Sequence, residues 1–378
     1  MPKDQERDVV LVGAGHSHIQ VLEAYAADPL VGAKLTLIVD DPIAIYSGMV
    51  PGFVAGQYTK DQLEIDARPL AKAAGAEIII AKALKVDPES KLIHMQGQEP
   101  SPYEVASFNV GSTVAGLDLP GIREHAIPTR PISGFVQRID DLIGEFSKDD
   151  KGGPFHVVVV GGGAGGVELT FTLLHRLFAK SGRDIDLTLV HDRSEILEGY
   201  SRNLIRRIRA WTMRMGIHVL CEHRVATYEP GLVTFEDGES LHCDALVWVT
   251  GPTSHALFVD SALPVDDRGF VMVRDTLQFK DHDDLFAVGD CATLIEHPET
   301  PKAGVYAVRE GPIVARNIRS YLSGDPLERY EPQHDFLMLM NLGEYAVGGK
   351  WGFAFEGKWV MTWKDRIDRA FMRRFQVG

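Results

Sequence analysis

The chain begins with a short run of apolar, β-branched residues that ends in glycines. Residues 9–12 form this run, and apolar residues then recur every three or four positions over 19–26. A second apolar run at 35–39 ends in two aspartates. This change of period predicts a strand, a glycine turn, a helix and a second strand, which together make a βαβ unit.

The same order of elements recurs in the middle of the chain. An apolar run at 157–160 leads into the glycine-rich loop 161–166, and a helical pattern follows that is apolar on most of its faces. Residues 187–190 form the next apolar run. A helix with so little polar surface is expected to be well buried.

In each copy a late apolar strand also ends in glycine. Gly111 lies 98 residues after Gly13, and Gly251 lies 90 residues after Gly161. A single glycine motif can arise by chance, but paired offsets of this kind favour two related nucleotide-binding domains.

The second glycine loop has the spacing that a dinucleotide pyrophosphate requires. The N-terminus of a helix presents free N–H groups and the positive end of the helix dipole. The first glycine permits a tight turn, the second lets the backbone approach the phosphates, and the third lets the helix pack on the strand. Gly161, Gly163 and Gly166 fill these positions, so we predict nucleotide binding there.

The first glycine loop departs from this rule. Gly13 and Gly15 are present, but the third position is His18. An imidazole N–H of His16 or His18 can donate to a phosphate, or both residues can make local hydrogen bonds at the start of the helix. The sequence leaves these alternatives open, and the His-x-His spacing alone does not support a metal site, so we expect none.

The residues that end the second strand of each copy bear on ribose recognition. An acid usually stands there to bind the ribose hydroxyls, and Asp40 is the candidate in the first copy. In the second copy His191 takes this place, followed by Asp192 and by Arg193, which is near enough to meet a 2′-phosphate. The sequence therefore does not decide between NADH and NADPH, with a slight preference for NADH.

Composition limits the function classes further. The 378 residues carry a formal net charge of −14, which argues against general nucleic-acid binding. The cysteines Cys221, Cys243 and Cys291 form no close pair, so neither a disulfide framework nor a zinc knuckle is expected. No apolar run approaches the ~20 residues of a membrane span, and no apolar signal core precedes the first strand. We therefore expect a cytoplasmic protein.

The tail at 363–375 differs from the acidic remainder of the chain. Trp363, Ile367, Ala370, Phe371 and Phe375 recur at helical spacing, among five basic and two acidic residues. A basic amphipathic helix can lie on an anionic membrane surface. Docking on its own protein, on a partner or in a homodimer are the alternatives, and the sequence leaves them open.

Five segments resemble a known flavoprotein superfamily. They are VGAGHSH at 12–18, YSGMVPGFVAGQY at 46–58, LFAVGDCA at 285–292, PKAGVYAVREGP at 301–312 and KDRIDRAFMRRF at 364–375. The chain resembles the FAD-dependent pyridine nucleotide-disulfide oxidoreductases. Within them it is more similar to type II NADH dehydrogenases and sulfide:quinone oxidoreductases, and most similar to the flavoproteins often fused to selenide, water dikinase.

This resemblance implies an α/β fold of two Rossmann-like dinucleotide-binding domains, the second inserted in the first, with a small C-terminal β-rich segment and helix. The implied bounds are 1–125 and 256–330 for the FAD domain, 150–255 for the NAD(P)H domain, and 331–378 for the C-terminal segment, with a polar, glycine-rich linker at 147–154. In the FAD domain, the resemblance places Gly289 and Asp290 at the ribityl chain. It places Lys302, Ala303, Gly304 and Tyr306 beside the isoalloxazine, at a helix N-terminus. The alternative for Lys302 is a solvated loop lysine.

The resemblance also implies the chemistry. Glu168, on the first turn of the second helix, would lie near nicotinamide and flavin, where it steers the substrate or relays a proton; the alternative is an acid that complements the helix dipole. The stretch 46–58 lacks the cysteine pair of disulfide reductases. We therefore expect hydride transfer from NAD(P)H to FAD and then to an acceptor, with quinone favoured. A low-turnover signalling flavoprotein and a redox partner in selenium or sulfur metabolism are the alternatives.

Overall fold

A computed structural model describes residues 6–147, 153–181 and 184–375 of the chain. The strands are β1 (Arg7–Val12), β2 (Ala33–Val39), β3 (Ile43–Ile45), β4 (Glu64–Asp66), β5 (Glu77–Ile80), β6 (Ala83–Asp87), β7 (Leu92–Met95), β8 (Gln98–Pro102), β9 (Val105–Phe108), β10 (Thr113–Val114), β11 (Ile127–Pro128), β12 (Phe155–Val160), β13 (Ile185–Val190), β14 (His218–Leu220), β15 (Val225–Glu229), β16 (Gly231–Phe235), β17 (Ser240–Cys243), β18 (Ala245–Trp248), β19 (Pro252–Thr253), β20 (Val271–Val273), β21 (Gln278–Phe279), β22 (His282–Ala287), β23 (Ala292–Leu294), β24 (Met338–Asn341), β25 (Ala346–Lys350) and β26 (Phe353–Gly357). The helices are α1 (His16–Ala27), α2 (Val50–Val54), α3 (Ala67–Ala73), α4 (Ile122–His125), α5 (Ile132–Phe146), α6 (Ala164–Ser181), α7 (Arg202–Arg214), α8 (Leu257–Asp260), α9 (Gly304–Ser323) and α10 (Lys358–Met372). Short 3₁₀ turns lie at Ser47–Met49, Lys60–Gln62 and Gly289–Cys291.

Two sheets built around parallel strands form the core. The first has the order β23-β20-β21-β22-β9-β1-β2-β5, and the second has the order β11-β18-β12-β13-β14. Their central strands are buried on both faces, which explains why they read as continuous apolar runs rather than alternating ones. The first sheet takes strands from both sides of the second in sequence, so the second Rossmann-like unit is inserted in the first.

The two units share one topology. The order β9-β1-β2-β5 matches β18-β12-β13-β14, and each unit carries a three-stranded antiparallel meander before its last parallel strand, β6-β7-β8 or β15-β16-β17. The internal duplication predicted from the paired glycine offsets is therefore present in the fold.

The chain passes between the two units twice. β10 pairs antiparallel with β19, so the segments that follow Gly111 and Gly251 cross side by side. The second sheet begins with β11, which pairs parallel with β18; it therefore takes in residues well before the predicted bound of 150. Of the predicted linker 147–154, residues 148–152 lie outside the described residues.

The C-terminal segment is a three-stranded antiparallel sheet followed by a helix. β24, β25 and β26 form the sheet, in agreement with the β-rich C-terminal segment that the resemblance implied. α10 begins at Lys358 and packs on this sheet, five residues before the predicted start of the tail helix. Among the described residues no helix combines the length and the apolarity needed to cross a bilayer.

Asn109 ties three elements together at the carboxyl end of the first sheet. It follows β9 directly, and its Oδ1 accepts hydrogen bonds from the backbone N–H groups of Ser17 (3.1 Å) and His18 (3.2 Å) in the first turn of α1. Its Nδ2 donates to the Val288 carbonyl, at 2.8 Å, after β22. One buried amide side chain thus satisfies two otherwise unpaired helix donors and one strand-end acceptor.

Replacing Asn109 with alanine is expected to lower the free energy of unfolding by about 3 kcal/mol, because buried donors and an acceptor lose their partner. Urea denaturation followed by circular dichroism measures this change. Asn203→Ala is the matched control, since it removes an exposed amide that donates to the Gly352 carbonyl, and it should cost less than about 1 kcal/mol. Equal losses for the two variants would contradict the assigned role.

Candidate active site

The first glycine loop is shaped by its contact with Asn109. A Cβ on Gly13, whose φ is +87°, would lie 2.5 Å from the Asn109 carbonyl oxygen, and a Cβ on Gly15 would overlap the Asn109 side chain. A Cβ on Gly289, in the turn after β22, would likewise lie 2.6 Å from the Asn109 Nδ2. The three glycines let the loop, α1 and the turn after β22 close around one side chain.

His18 faces the protein interior. It is fully buried, with Nδ1 2.6 Å from the Gly13 carbonyl oxygen and Nε2 2.8 Å from the Ser107 hydroxyl. Burial lowers its pKa to about 4, so the ring is neutral. Of the two alternatives given for His18, the structure supports local hydrogen bonds over donation to a phosphate. Both ring nitrogens are therefore already engaged within the protein, which argues against the predicted contact of the His18 ring with the cofactor.

His16 differs from His18, although only one residue separates them. Its Nε2 is buried and has no hydrogen-bond partner among the described residues. The ring packs edge-on against Tyr46 at 5.5 Å and tilted against Phe371 at 6.1 Å. Burial lowers its pKa to about 4, against the charge of Asp290. An unpaired buried nitrogen at the mouth of the glycine loop fits a bound group that can hydrogen-bond to it.

Asp290 lies in the 3₁₀ turn after β22 and is held by a residue that the sequence analysis missed. Its Oδ2 accepts from Nη1 of Arg130 at 2.5 Å, and Arg130 also donates to the Ser112 hydroxyl. Glu310 of α9 accepts from the Gly289 N–H at 2.5 Å. Arg130 is 160 residues from Asp290 in sequence, so no local pattern could reveal the pair.

Lys302 is fixed rather than solvated. Its ammonium group donates to the Thr293 hydroxyl at 2.9 Å and to the Ala292 carbonyl, and it lies 4.5 Å from the centre of the Phe270 ring. Burial lowers its pKa.

α9 begins at Gly304 with Ala303 as its N-cap, as the resemblance implied. One pocket is lined by the residues predicted for flavin together with the missed glutamate, namely Gly289, Asp290, Lys302, Ala303, Tyr306 and Glu310. The structure thus brings the predicted FAD residues of β22 and α9 together.

The second glycine loop meets the requirements of a pyrophosphate site. A Cβ on Gly161 or on Gly166 would collide with backbone atoms, at Val249 and at Gly161 respectively, whereas nothing lies within 4 Å of a Cβ position on Gly163. Two glycines are therefore required by packing, and the middle one faces open space beside the first turn of α6. Gly111 and Gly251 also face open space, at the crossing between the two units.

The ribose end leaves the choice of dinucleotide open. His191 Nδ1 accepts from the Gly162 N–H at 3.2 Å, so in the neutral ring Nε2 carries the proton and is a donor. Asp192 pairs with Arg224 at 3.6 Å, and Arg193 pairs with a surface glutamate. Asp40, at the matching position of the first unit, is exposed.

Glu168 opens a second cluster of polar groups, between α6 and the C-terminal segment. Its Oε1 accepts from the backbone N–H of Asn341 at 2.7 Å. The Asn341 side chain in turn donates to Gln57 Oε1 at 2.7 Å. Burial raises the pKa of Glu168 to about 7, against the opposing charge of Lys364. A carboxyl group in this setting can hold or release a proton near neutral pH.

Lys364 and Asp368 form a buried ion pair beside Glu168. Lys364 is 7% exposed and Asp368 is 4% exposed, and the two groups are 2.8 Å apart. Lys364 also donates to the Gly48 carbonyl at 2.7 Å, and the Tyr46 hydroxyl donates to Asp368 at 3.3 Å. Burial alone would lower the pKa of Lys364, but the nearby carboxylates raise it above its ordinary value.

This arrangement corrects the prediction for the tail helix. The predicted apolar stripe is divided, because Trp363 and Ile367 are exposed whereas Phe375 is buried and Phe371 stacks on Tyr46 with ring centres 4.5 Å apart. The face that α10 turns to the protein carries the ion pair. Periodicity alone assigns charged side chains to solvent, whereas here Lys364 and Asp368 are buried.

Cysteine chemistry is disfavoured by the environment of the thiols. Cys243 and Cys291 are buried, and burial raises the pKa of both thiols to about 12.

Away from this site, His223, Asp237 and Glu239 bring ligand atoms within 4.8 Å of one another at the surface.

Comparisons with known proteins agree with this geometry. Residues 7–311 match the family model of the pyridine nucleotide-disulphide oxidoreductases. A type II NADH:quinone oxidoreductase of Staphylococcus aureus is 25% identical over 400 residues, covering 100% of this chain and 97% of that protein.

Two solved structures share the fold. The sulfide:quinone oxidoreductase of Aquifex aeolicus has a TM-score of 0.82 at 18% identity, covering 98% of this chain and 91% of that one. The NDH2 of Plasmodium falciparum, solved in complex with NADH, has a TM-score of 0.77 at 13% identity, with 97% of each chain covered.

Replacing Asp290 with alanine is expected to weaken FAD binding at least about tenfold, because a charge-assisted hydrogen bond is lost and Arg130 is left unpaired. The visible flavin absorbance relative to protein, measured on folded protein after dialysis, checks this. Asp281→Ala, at an exposed aspartate just before β22, is the control and should retain its flavin. An Asp290→Ala protein as yellow as the control would refute the assignment.

Proposed function

Because the chain belongs to the pyridine nucleotide-disulphide oxidoreductase family, we propose that it works as an FAD-dependent NAD(P)H dehydrogenase with a quinone as its electron acceptor. One observation carries the proposal. Lys364, Asp368, Tyr46 and His16 are joined in turn by an ion pair, a hydrogen bond and a ring contact, and the charges of Lys364 and Asp290 act on the pKa values of Glu168 and His16.

The residues present fit both nucleotides. In the first unit the buried Nε2 of His16, the Asp290 carboxylate and the α9 N-terminus would hold FAD. In the second unit Gly163 and the first turn of α6 leave room for the pyrophosphate of NAD(P)H. Bound FAD would supply the redox chemistry, taking a hydride from NAD(P)H and passing two electrons to the acceptor.

Two features support a quinone as the electron acceptor, namely the lack of a reactive thiol and a cluster of aromatic side chains. The stretch 46–58 contains no cysteine, and Cys291 lies buried against the carbonyls of Phe108 and Val288. The rings of His16, Tyr46 and Phe371 instead form a cluster within 6.1 Å of one another, centre to centre. A planar, conjugated acceptor such as a quinone matches these surfaces.

Reduction of a quinone to a hydroquinone consumes two protons, and Glu168 would deliver one of them. With a pKa of about 7, its carboxyl group is largely protonated in mildly acidic solution and can donate to a quinone oxygen as charge develops there. The Lys364 ammonium, fixed by Asp368 and by the Gly48 carbonyl, stabilises negative charge in the same low-dielectric region.

The exposed face of α10 supports a peripheral membrane contact, at which a lipid-soluble quinone would be met. Trp359, Trp363 and Ile367 are exposed on this face, and Trp359 and Trp363 stack with Phe355. The contact would use these residues and not Phe371 or Phe375, which face the protein.

An acceptor panel tests the function. With NADH or NADPH as donor, turnover is expected with water-soluble quinones and not with glutathione disulfide or other disulfides, because no reactive thiol flanks the flavin. Steady-state oxidation of the nicotinamide, monitored by its absorbance, is the measurement. Turnover with disulfides and none with quinones would overturn the proposal.

Replacing Glu168 with glutamine is expected to lower kcat with quinone about 10²-fold or more below pH 7, because a general acid is lost. In the native protein kcat should fall as pH rises through about 7, when the carboxyl group ionises; the variant should lose this dependence. Glu239→Gln, at an exposed carboxylate, is the control. A pH profile that is unchanged in Glu168→Gln would remove Glu168 from the mechanism.

A further inference from the structure

A second basic surface lies on α7, outside the site described above. The helix has five arginines and no acidic residue, in a chain with a net charge of −14. Arg207 and Arg209 pair with Glu356 and Glu195. The two remaining arginines that line the adjoining groove, Arg206 and Arg214, have no carboxylate partner among the described residues, so their charge is free to attract an anion.

α7 packs against the β25–β26 hairpin, and a groove runs between them. Arg206 and Arg214 line it together with the apolar surfaces of Trp211 and Phe353. The Arg214 guanidinium lies 4.6 Å from the centre of the Trp211 ring. The Asn203 side chain donates to the Gly352 carbonyl at 2.8 Å, which fixes the hairpin turn against the start of the helix.

The hairpin turn projects from this groove. Trp351 and Phe353, on either side of Gly352, are 73% and 74% exposed, and the Lys350 ammonium lies 4.2 Å from the centre of the Trp351 ring. Strand alternation directs Glu356 of β26 toward α7 and Phe355 toward α10. The exposed turn therefore has a cationic helix on one side and the aromatic face of α10 on the other.

We propose that the hairpin turn and α7 bind the anionic headgroups of a phospholipid bilayer. The phosphates would meet Arg206 and Arg214, and the rings of Trp351 and Phe353 would enter the interfacial region. Cations beside exposed aromatic residues are the arrangement of interfacial protein segments. The chain as a whole carries a net charge of −14, so an anionic membrane attracts this cationic side in preference to acidic surface elsewhere.

The inference rests on the proposed function only in that a lipid-soluble quinone gives the protein a reason to meet a membrane. An acidic protein would also be attracted by the arginines. The exposed tryptophan at the turn favours a bilayer, because Trp351, unlike Phe353, does not line the groove in which a protein segment would lie.

Vesicle partitioning of the FAD-loaded full chain tests the inference. We expect the native protein to bind vesicles of phosphatidylcholine with phosphatidylglycerol and to bind vesicles of phosphatidylcholine alone far less. Arg206→Gln combined with Arg214→Gln should weaken binding to the anionic vesicles about thirty-fold, because each arginine near an anionic surface raises the affinity about fivefold. Trp351→Ala should weaken binding to both kinds of vesicle.

Lys85→Gln combined with Arg123→Gln removes the same charge from two exposed positions elsewhere, and it should leave the binding within about twofold. Equal binding to both vesicle types, no binding to either, or equal losses in the two double variants would overturn the inference. Flavin content and turnover with a water-soluble quinone should stay native in every variant. A protein that binds anionic vesicles through the arginines but reduces no quinone would contradict the proposed function and leave this inference standing.

Discussion

The architecture of the first nucleotide site depends on one buried amide. Asn109 stands where β9 ends, and its side chain satisfies the start of α1 and the carbonyl that follows β22. Because β1, β9 and β22 run parallel, their carboxyl ends meet at one edge, and a single polar side chain can join all three. Gly13, Gly15 and Gly289 keep the space around it free of Cβ atoms. The Asp290 turn is thereby held against the glycine loop, which is the geometry a dinucleotide requires.

The C-terminal helix closes the site by turning its charges inward. A buried ion pair is costly unless its members are paired and hydrogen-bonded, and Lys364 and Asp368 meet this condition through each other, Gly48 and Tyr46. Replacing such a pair by apolar residues is often neutral or stabilising, so stability alone gives little reason for it. We propose a functional reason instead, namely that the pair sets the charge around Glu168, whose carboxyl group has a pKa of about 7.

Much of the fold follows from local pattern. The two glycine loops, their flanking strands and the paired glycine offsets predict the duplication, because strand and helix periods and the steric demands of a phosphate loop are written in adjacent residues. The partners of those residues are not. Asn109, Arg130 and Glu310 act across gaps in sequence that no local pattern spans, and their types are common in loops and helices.

The tail also shows a limit of prediction from local sequence pattern. Helical spacing indicates correctly that residues 363–375 contain a helix, but it groups Trp363 and Ile367 with Phe371 and Phe375 in one apolar stripe, whereas the fold exposes the first two and packs the other two against the protein. Hydrophobic period assumes that burial selects apolar side chains; a functional site can select charges instead. The basic surface of α7 was not predicted, because its arginines lie in the middle of the chain and only the fold brings them beside the hairpin turn.

Anaerobic mixing of the oxidised holoenzyme with NADH or NADPH, followed by a quinone, tests the central claim most directly. We expect the visible flavin absorbance to bleach rapidly with at least one of the two dinucleotides and to return when the quinone is added. Bleaching that takes many minutes with both, or reduced flavin that the quinone does not reoxidise, would contradict it.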